Sequence, residues 1–139
     1  MKRSDLVRSV FEGTAYALRH VMETVKKEGA KADVLRICGG GAKSRAWCQI
    51  KASMLKMPVY ILDEKSGDVP VGDALIVGHK VGVFSDLSKA AERIVKVTSI
   101  VQPVDRWVEA YDKLYPYYVE MYQHLDGDLK ELRNTVEKL

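Results

Sequence analysis

The sequence predicts an α/β fold with a thin, mainly parallel sheet flanked by helices. Short aliphatic and β-branched runs alternate along the chain with longer segments whose apolar residues recur at three- and four-residue steps. Alternation of strands and helices is typical of a parallel sheet covered by helices. Only two strand patterns are clear and a third is weaker, which is a thin sheet for so many helices. We therefore expect the chain to be part of a larger α/β domain.

The chain is predicted to form one domain with no interdomain linker. Its 139 residues are enough for a single core, so we treat 1–139 as a single partial domain and 105–139 as its helical tail. The net charge of +3 comes with no dense basic run, which argues against nucleic acid as a partner. No apolar stretch is long enough to span a membrane, and the basic start makes a poor signal peptide. These features predict a cytoplasmic protein.

The first element is a long helix over residues 5–28 with one buried face. Eight residues form that face: Val7, Val10, Phe11, Thr14, Leu18, Val21, Met22 and Val25. Further helices are predicted over 42–55, from residue 70, over 87–94 and over 105–124, and strands over 34–37, 59–62 and 95–101. In the helix from residue 70, the side predicted to be buried carries Ala74, Leu75, Val77 and Val81.

The tail is predicted to be helical but interrupted. Five aromatic residues at helical spacing are expected to pack against the core: Trp107, Tyr111, Tyr115, Tyr118 and Tyr122. Pro116 removes a backbone donor, so it should kink or divide the helix. A turn at 126–128 should then precede a last amphipathic helix.

Three consecutive glycines, Gly39 to Gly41, stand between the first strand and the second helix. Glycine lets a backbone approach a ligand closely. A helix start offers unpaired N–H groups and the positive end of a dipole, which suit phosphate. The alternative is a turn that only reverses the chain, although three glycines cost conformational entropy that a bare turn seldom needs. The glycines alone therefore leave two interpretations open, a phosphate or nucleotide site and a turn without a ligand.

The turn departs from one known phosphate-binding motif and partly matches another. A Walker A loop requires Gly-Lys-Ser/Thr, whereas here Ala42 precedes Lys43. A Rossmann dinucleotide fingerprint fits better, with Gly39-x-Gly41 after a strand and Asp63 placed to bind a ribose, but its third glycine position is occupied by Ser44. A third interpretation is a non-catalytic interaction module that binds a partner through its aromatic helix.

The remaining reactive residue types point to no other site. Cys38 and Cys48 are expected to be free thiols in a reducing compartment, with Cys38 packed at the end of its strand. The three histidines lack metal-ligand spacing, so no metal site is predicted. The carboxylates of 63–68 form a polar loop without an evident catalytic partner.

Three stretches, taken in order, resemble the FGGY family of carbohydrate kinases, particularly its xylulokinase-like branch. Residues 5–13 resemble the second half of the family's C-terminal signature. The run 39–44, followed by Trp47 and Gln49-Ile50, is similar to its adenosine-binding loop, and 71–84 is similar to its helix rich in small residues. Each motif is modest alone, but their shared order and spacing from about residue 5 to 98 are fairly specific.

The resemblance implies part of an actin-like, ribonuclease-H-like ATPase lobe, namely the last part of the second, ATP-binding lobe. It implies a sugar kinase that transfers the ATP γ-phosphate to a sugar hydroxyl, with ATP and Mg²⁺ as cofactors. The first lobe, which holds most of the metal contacts, the catalytic base and most of the sugar site, would be missing. We therefore expect no catalytic or metal-binding residue in this chain and no activity from it alone. Self-association or a missing N-terminal lobe would cover its open surface.

The resemblance also implies the roles of five residues. The nucleotide-binding set is Gly39, Gly40, Gly41, Ala42 and Arg45. The N–H groups of Gly40 and Gly41 would donate to the α-phosphate, and Ala42 would lie under the nucleotide. Arg45 would lie near adenine, either stacked on the base or projecting into solvent.

Overall fold

The computed structural model describes residues 2–137, and this part of the chain forms five α-helices and three strands. The elements are α1 (Arg3–Lys27), β1 (Leu35–Ile37), α2 (Arg45–Leu55), β2 (Val59–Leu62), α3 (Val69–Lys80), α4 (Leu87–Ile94), β3 (Val97–Val101) and α5 (Asp105–Val136). A short 3-10 turn over Gly40–Ala42 joins β1 to α2. The α/β prediction is thus confirmed, with the elements in the predicted order and the last two helices fused into one.

The sheet has the order β1-β2-β3 and is mixed rather than mainly parallel. β1 runs parallel to β2, with Leu35 opposite Val59. β3 runs antiparallel to β2, and Val97 at its start lies opposite Leu62 at the end of β2. The reason is the connection: α3 leads the chain away from the sheet, and α4 returns it to the end of the sheet that it left.

Helix α2 lies at the centre of the molecule and belongs to two apolar clusters. On the sheet side, Cys48 and Ala52 pack with Val59 and Val101. On the other side, α2 packs against α1 and α5 in a second cluster formed by Ala15, Ile50, Met54 and Tyr111. The core therefore has two layers, and α2 is shared by both.

Aromatic and charged residues join α1 to α5. Tyr16 of α1 stacks on Tyr118, with ring centroids 5.3 Å apart. Arg19 is nearly buried and its guanidinium lies 2.9 Å from the carboxylate of Asp112. The aromatic stripe of α5 was expected to pack, and Tyr111 and Tyr115 are buried as predicted. Tyr122 is the exception, since it is 44% exposed.

Helix α5 is continuous over 32 residues, so the predicted division at Pro116 and the predicted turn at 126–128 are wrong. Pro116 removes one N–H bond, which would have reached the carbonyl of Asp112, and its ring crowds that same carbonyl, at a cost of about 3 kcal/mol. Tyr115 and Tyr118, on either side of Pro116, both pack on α1 through Tyr16. Tertiary packing of these neighbours therefore outweighs the local cost of the proline.

Two predicted apolar faces and one cysteine are more exposed than expected. On α1 the buried residues are Ala15 and Arg19, while Val7, Val10, Val21 and Val25 are exposed. On α3 only Leu75 is buried, whereas Ala74 and Val77, and Val81 directly after the helix, are exposed. Cys38 is an exposed free thiol instead of packing at the end of β1. Periodicity identified apolar stripes correctly, but the described chain places too few atoms against them to bury them.

Candidate functional site

The glycine turn follows β1 directly and leaves two backbone donors open. Gly39 has φ +70°, a conformation that favours glycine. The N–H groups of Ala42 and Lys43 donate back to the carbonyls of Gly39 and Gly40, at 3.1 and 3.2 Å. The N–H groups of Gly40 and Gly41 have no acceptor within residues 2–137. They are the unpaired donors expected at the first turn of a helical segment.

The three glycines have different surroundings. A Cβ placed on Gly39 or Gly40 would meet no atom within 4 Å, so the space beside them is open to a ligand. A Cβ on Gly41 would lie 3.3 Å from the Trp47 ring and 3.5 Å from Nζ of Lys51. Gly41 therefore allows Trp47 to pack against the turn. Gly40 leaves the space beside the turn accessible to a ligand.

A cavity of about 210 Å³ lies beside the turn, at the carboxyl ends of β1 and β2. Its lining comes from the turn and from the ends of β2 and β3: Gly39, Ala42, Lys43, Ile61, Leu62, Asp63, Glu64 and Thr98. In open α/β sheets, ligands bind in the crevice outside the carboxyl ends of the strands. The position of this cavity thus agrees with the site predicted at the turn.

Ion pairs and backbone bonds already engage the carboxylates at this edge. Glu64 forms an ion pair with Lys43 at 2.7 Å, and this bond raises the pKa of the lysine. Both side chains are largely exposed, so the pair contributes little to stability. The Asp63 carboxylate accepts the backbone N–H groups of Ser66 and Lys65, at 3.0 and 3.2 Å, and the bond from Ser66 is the main reason that its pKa is lowered.

Helix α2 begins beside the turn with a stacked arrangement of side chains. Ser44 caps the helix as expected, accepting the N–H of Trp47 at 3.3 Å. The Trp47 ring stacks on Phe11, with centroids 5.1 Å apart. On α2, one turn beyond Trp47, the ammonium of Lys51 lies over the Trp47 ring, 3.9 Å from its centroid. The turn is thus held against α1 and α2 by one aromatic stack.

The structure brings the five predicted site residues together in one segment. Gly39 and Gly40 are exposed, Gly41 and Ala42 are half-buried, and Arg45 is the exposed first residue of α2. The predicted set did not include Trp47 or Lys51, which also border the turn. Their i, i+4 spacing, an aromatic residue followed by a cation, was the available signal, because residues four apart are neighbours on a helix.

Residues 2–137 contain no group of three or more histidine, cysteine or carboxylate residues arranged to hold a metal ion. Within the same range, none of the helices combines the length and apolarity that crossing a bilayer requires.

Comparison with known proteins places this fold and turn in a family. The family model described as the FGGY family of carbohydrate kinases, C-terminal domain, matches residues 1–80, more than half of the chain. The fold is thus that of a carbohydrate kinase domain of the actin-like class. The chain belongs to the FGGY family, as the sequence motifs predicted, and not to the dinucleotide-binding class.

Similar proteins include several xylulose kinases. The xylulose kinase of Staphylococcus epidermidis is 27% identical over 135 residues, which are 95% of this chain and 27% of that protein. The ligand-bound xylulose kinase of Lactobacillus acidophilus has a TM-score of 0.81 at 21% identity, over 94% of this chain and 26% of that one. The xylulose kinase of Rhodospirillum rubrum has a TM-score of 0.75 at 25% identity, over 91% and 26%. The chain thus spans about a quarter of the length of these relatives.

Proposed function

We propose that this chain forms the nucleotide-binding part of an ATP-dependent carbohydrate kinase, which transfers the γ-phosphate of ATP to a sugar hydroxyl. The observation that carries the proposal is the pair of open N–H donors on Gly40 and Gly41 in a domain of this family. Backbone donors at the start of a helix are well suited to an anion, because they carry partial positive charge at no cost in reorganisation.

Each residue of the predicted set has a role in this proposal. The N–H groups of Gly40 and Gly41 donate to the α-phosphate, and the open space at Gly39 and Gly40 lets the ribose approach. Ala42 lies under the nucleotide. Arg45 is exposed at the start of α2, where its guanidinium can stack on adenine.

Phosphoryl transfer also needs a base for the acceptor hydroxyl and Mg²⁺ to bridge the phosphates. We propose that both, with most of the sugar site, come from the part of the family's length that this chain does not span. Mg²⁺ would neutralise the charge that develops on the transferred phosphoryl group. The reported relatives are xylulose kinases, which makes xylulose the first sugar to test.

We propose that the chain works in the cytoplasm. Cys38 and Cys48 are both free thiols, and Cys38 is exposed. Exposed free thiols are typical of compartments in which thiols are kept reduced.

The proposal is tested by titrating ADP into the 139-residue chain by calorimetry, with Gly40→Val as the site variant. A Cβ at Gly40 meets no atom within 4 Å, so we expect the variant to fold normally while its side chain occupies the space of the ligand. Gly41→Val is less informative, because its side chain would press on Trp47. Gly127→Val in α5 is the matched control, since a Cβ there also meets nothing.

We expect the wild-type chain and Gly127→Val to bind ADP equally and Gly40→Val to lose binding by tenfold or more. Equal binding by all three proteins would contradict a site at the turn. A coupled assay with ATP, Mg²⁺ and xylulose should show no turnover by the 139 residues alone. Robust phosphorylation would show that this chain carries a base and a sugar site of its own.

A further inference from the structure

Lys51 places a positive charge directly beside the glycine turn. Its Nζ lies 3.5 Å from the position that a Cβ of Gly41 would occupy, and therefore no more than about 5 Å from the Gly41 Cα. The ammonium is thus on the Trp47 side of the turn, close to the backbone segment that carries the open N–H groups of Gly40 and Gly41, although Lys51 does not line the cavity of about 210 Å³. Lys51 is not among the five residues predicted to form the site.

The aromatic platform beneath Lys51 is itself held in place. Phe11 stacks on the Trp47 ring at an interplanar angle of 12°. The indole Nε1 of Trp47 donates to the hydroxyl of Thr14 at 3.1 Å. Because contacts with α1 fix the Trp47 ring, the lysine over that ring has a restricted position, so less entropy is lost when it binds a ligand.

The charge of Lys51 has no carboxylate partner within 4.0 Å in the part of the chain that the structure describes. Two other lysines in this region do have partners, since Lys43 pairs with Glu64 and Lys56 with Asp112. Lys51 is half-buried, and this burial lowers its pKa. A partly desolvated ammonium without a counter-charge favours an anion as neighbour. Arg45 and Lys43 are two further cations near the start of α2, but Lys43 is already paired with Glu64.

We propose that Lys51 is a further nucleotide-binding residue, whose ammonium donates to the phosphate oxygens of a nucleoside di- or triphosphate held at Gly40 and Gly41. The proposal rests on the proposed function and deepens it. Backbone N–H groups carry only partial charges, whereas a diphosphate carries at least two full negative charges. Lys51 supplies a full positive charge where the turn supplies oriented donors.

The test compares Lys51→Met and Lys51→Arg in calorimetric titrations of ADP and adenosine into the 139-residue chain. Methionine retains an unbranched apolar stem over Trp47 but has no charge, and arginine restores the charge. Lys27→Met is the matched control, because it removes one exposed charge about 20 Å along α1 from Thr14. Adenosine lacks phosphate, so it separates a loss of charge from a loss of structure.

We expect Lys51→Met to weaken ADP binding about tenfold and adenosine binding less than twofold, with Lys51→Arg recovering most of the loss. Lys27→Met should bind both ligands like the wild type. Equal weakening of ADP and adenosine by Lys51→Met would show that the lysine only supports Trp47, which overturns the proposal. Full ADP affinity in Lys51→Met, with Gly40→Val defective, would overturn the role of Lys51 and leave the proposed function intact.

A further outcome is that the wild-type chain binds no nucleotide at all. If the wild-type chain binds neither ADP nor adenosine, the proposed function of the isolated chain fails, and Lys51 is tested with pyrophosphate instead. NMR of the lysine side chains should then show a shift at Lys51 in the wild type that exceeds the shift at Lys27. Equal small shifts at both lysines would overturn the proposal through this second measurement.

Discussion

Helices α2 and α3 have similar lengths but opposite environments. Six of the eleven residues of α2 are buried, against one of the twelve in α3. The difference does not come from polarity, since α3 carries large aliphatic residues that remain exposed, Val69, Ile76 and Val77. It comes from what surrounds each helix: α2 lies between the sheet and the α1–α5 pair, whereas α3 packs mainly on α4.

The total surface of the chain is larger than that of a compact monomer. Its accessible surface is 10159 Å², whereas a compact monomer of 15.6 kDa exposes about 7,200 Å². The region around α2 is packed within the chain itself. The region around α3 has the composition of a buried helix without the neighbours that would bury it. Burial therefore depends on the surrounding elements, and apolar composition alone does not ensure it.

The largest expected effect contrasts a core residue of α2 with an apolar residue of α3. Met54→Ala should lower the free energy of unfolding by about 2–5 kcal/mol, because Met54 is fully buried and its removal leaves a cavity. Ile76→Ala should change it by about 0.5 kcal/mol or less, because Ile76 is 59% exposed. Urea unfolding followed by circular dichroism measures both. A loss of several kcal/mol in Ile76→Ala would mean that α3 is buried in solution.

An intermediate effect on stability is expected at high pH, in the well-packed region around α2. Burial, together with the hydrogen bond to Glu12 at 2.8 Å, raises the pKa of Tyr111 to about 12. The unfolded chain loses this proton near pH 10, so the stability from the neutral phenol is fully present below pH 10 and is lost as the pH rises through 12.

We therefore expect the urea midpoint of the wild type to fall between pH 10 and 12, and to fall less steeply in Tyr111→Phe. Part of the dependence should remain, because burial also raises the pKa of Tyr115 to about 12. Tyr117→Phe is the control, since this residue is 63% exposed. A midpoint that depends on pH as strongly in Tyr111→Phe as in the wild type would contradict the assignment.

The smallest effect on stability is expected for substitutions on the exposed face of α3. Their main effect should be on self-association. Exposed apolar patches promote association, so the 139-residue chain should form dimers or larger species at high concentration. Ile76→Lys and Val77→Lys should shift sedimentation toward the monomer with little change in unfolding. A wild-type chain that stays monomeric at high concentration would count against the prediction. It would mean that the exposed face of α3 does not cause association.

Local chemistry made the glycine turn and the elements beside it predictable. Gly39 to Gly41 mark a turn because a positive φ and close backbone approach favour glycine, and Ser44 marks the start of α2 because its side chain can accept an N–H of the first turn. The first two strands were also recognised from short aliphatic runs. The predicted nucleotide set lies in this segment for the same reason, since all five residues are close in sequence.

The sequence by itself determined the order and type of the elements, the place of the turn and the family motifs, because these depend on neighbouring residues. Only the tertiary structure decided the direction of β3, the continuity of α5 through Pro116, the exposure of α3 and the position of Lys51 beside Gly41. Each of these depends on contacts between residues distant in the sequence or on the atoms available to cover a face. Packing energies of that kind exceed the local preferences of single residues, so periodicity alone could not predict them.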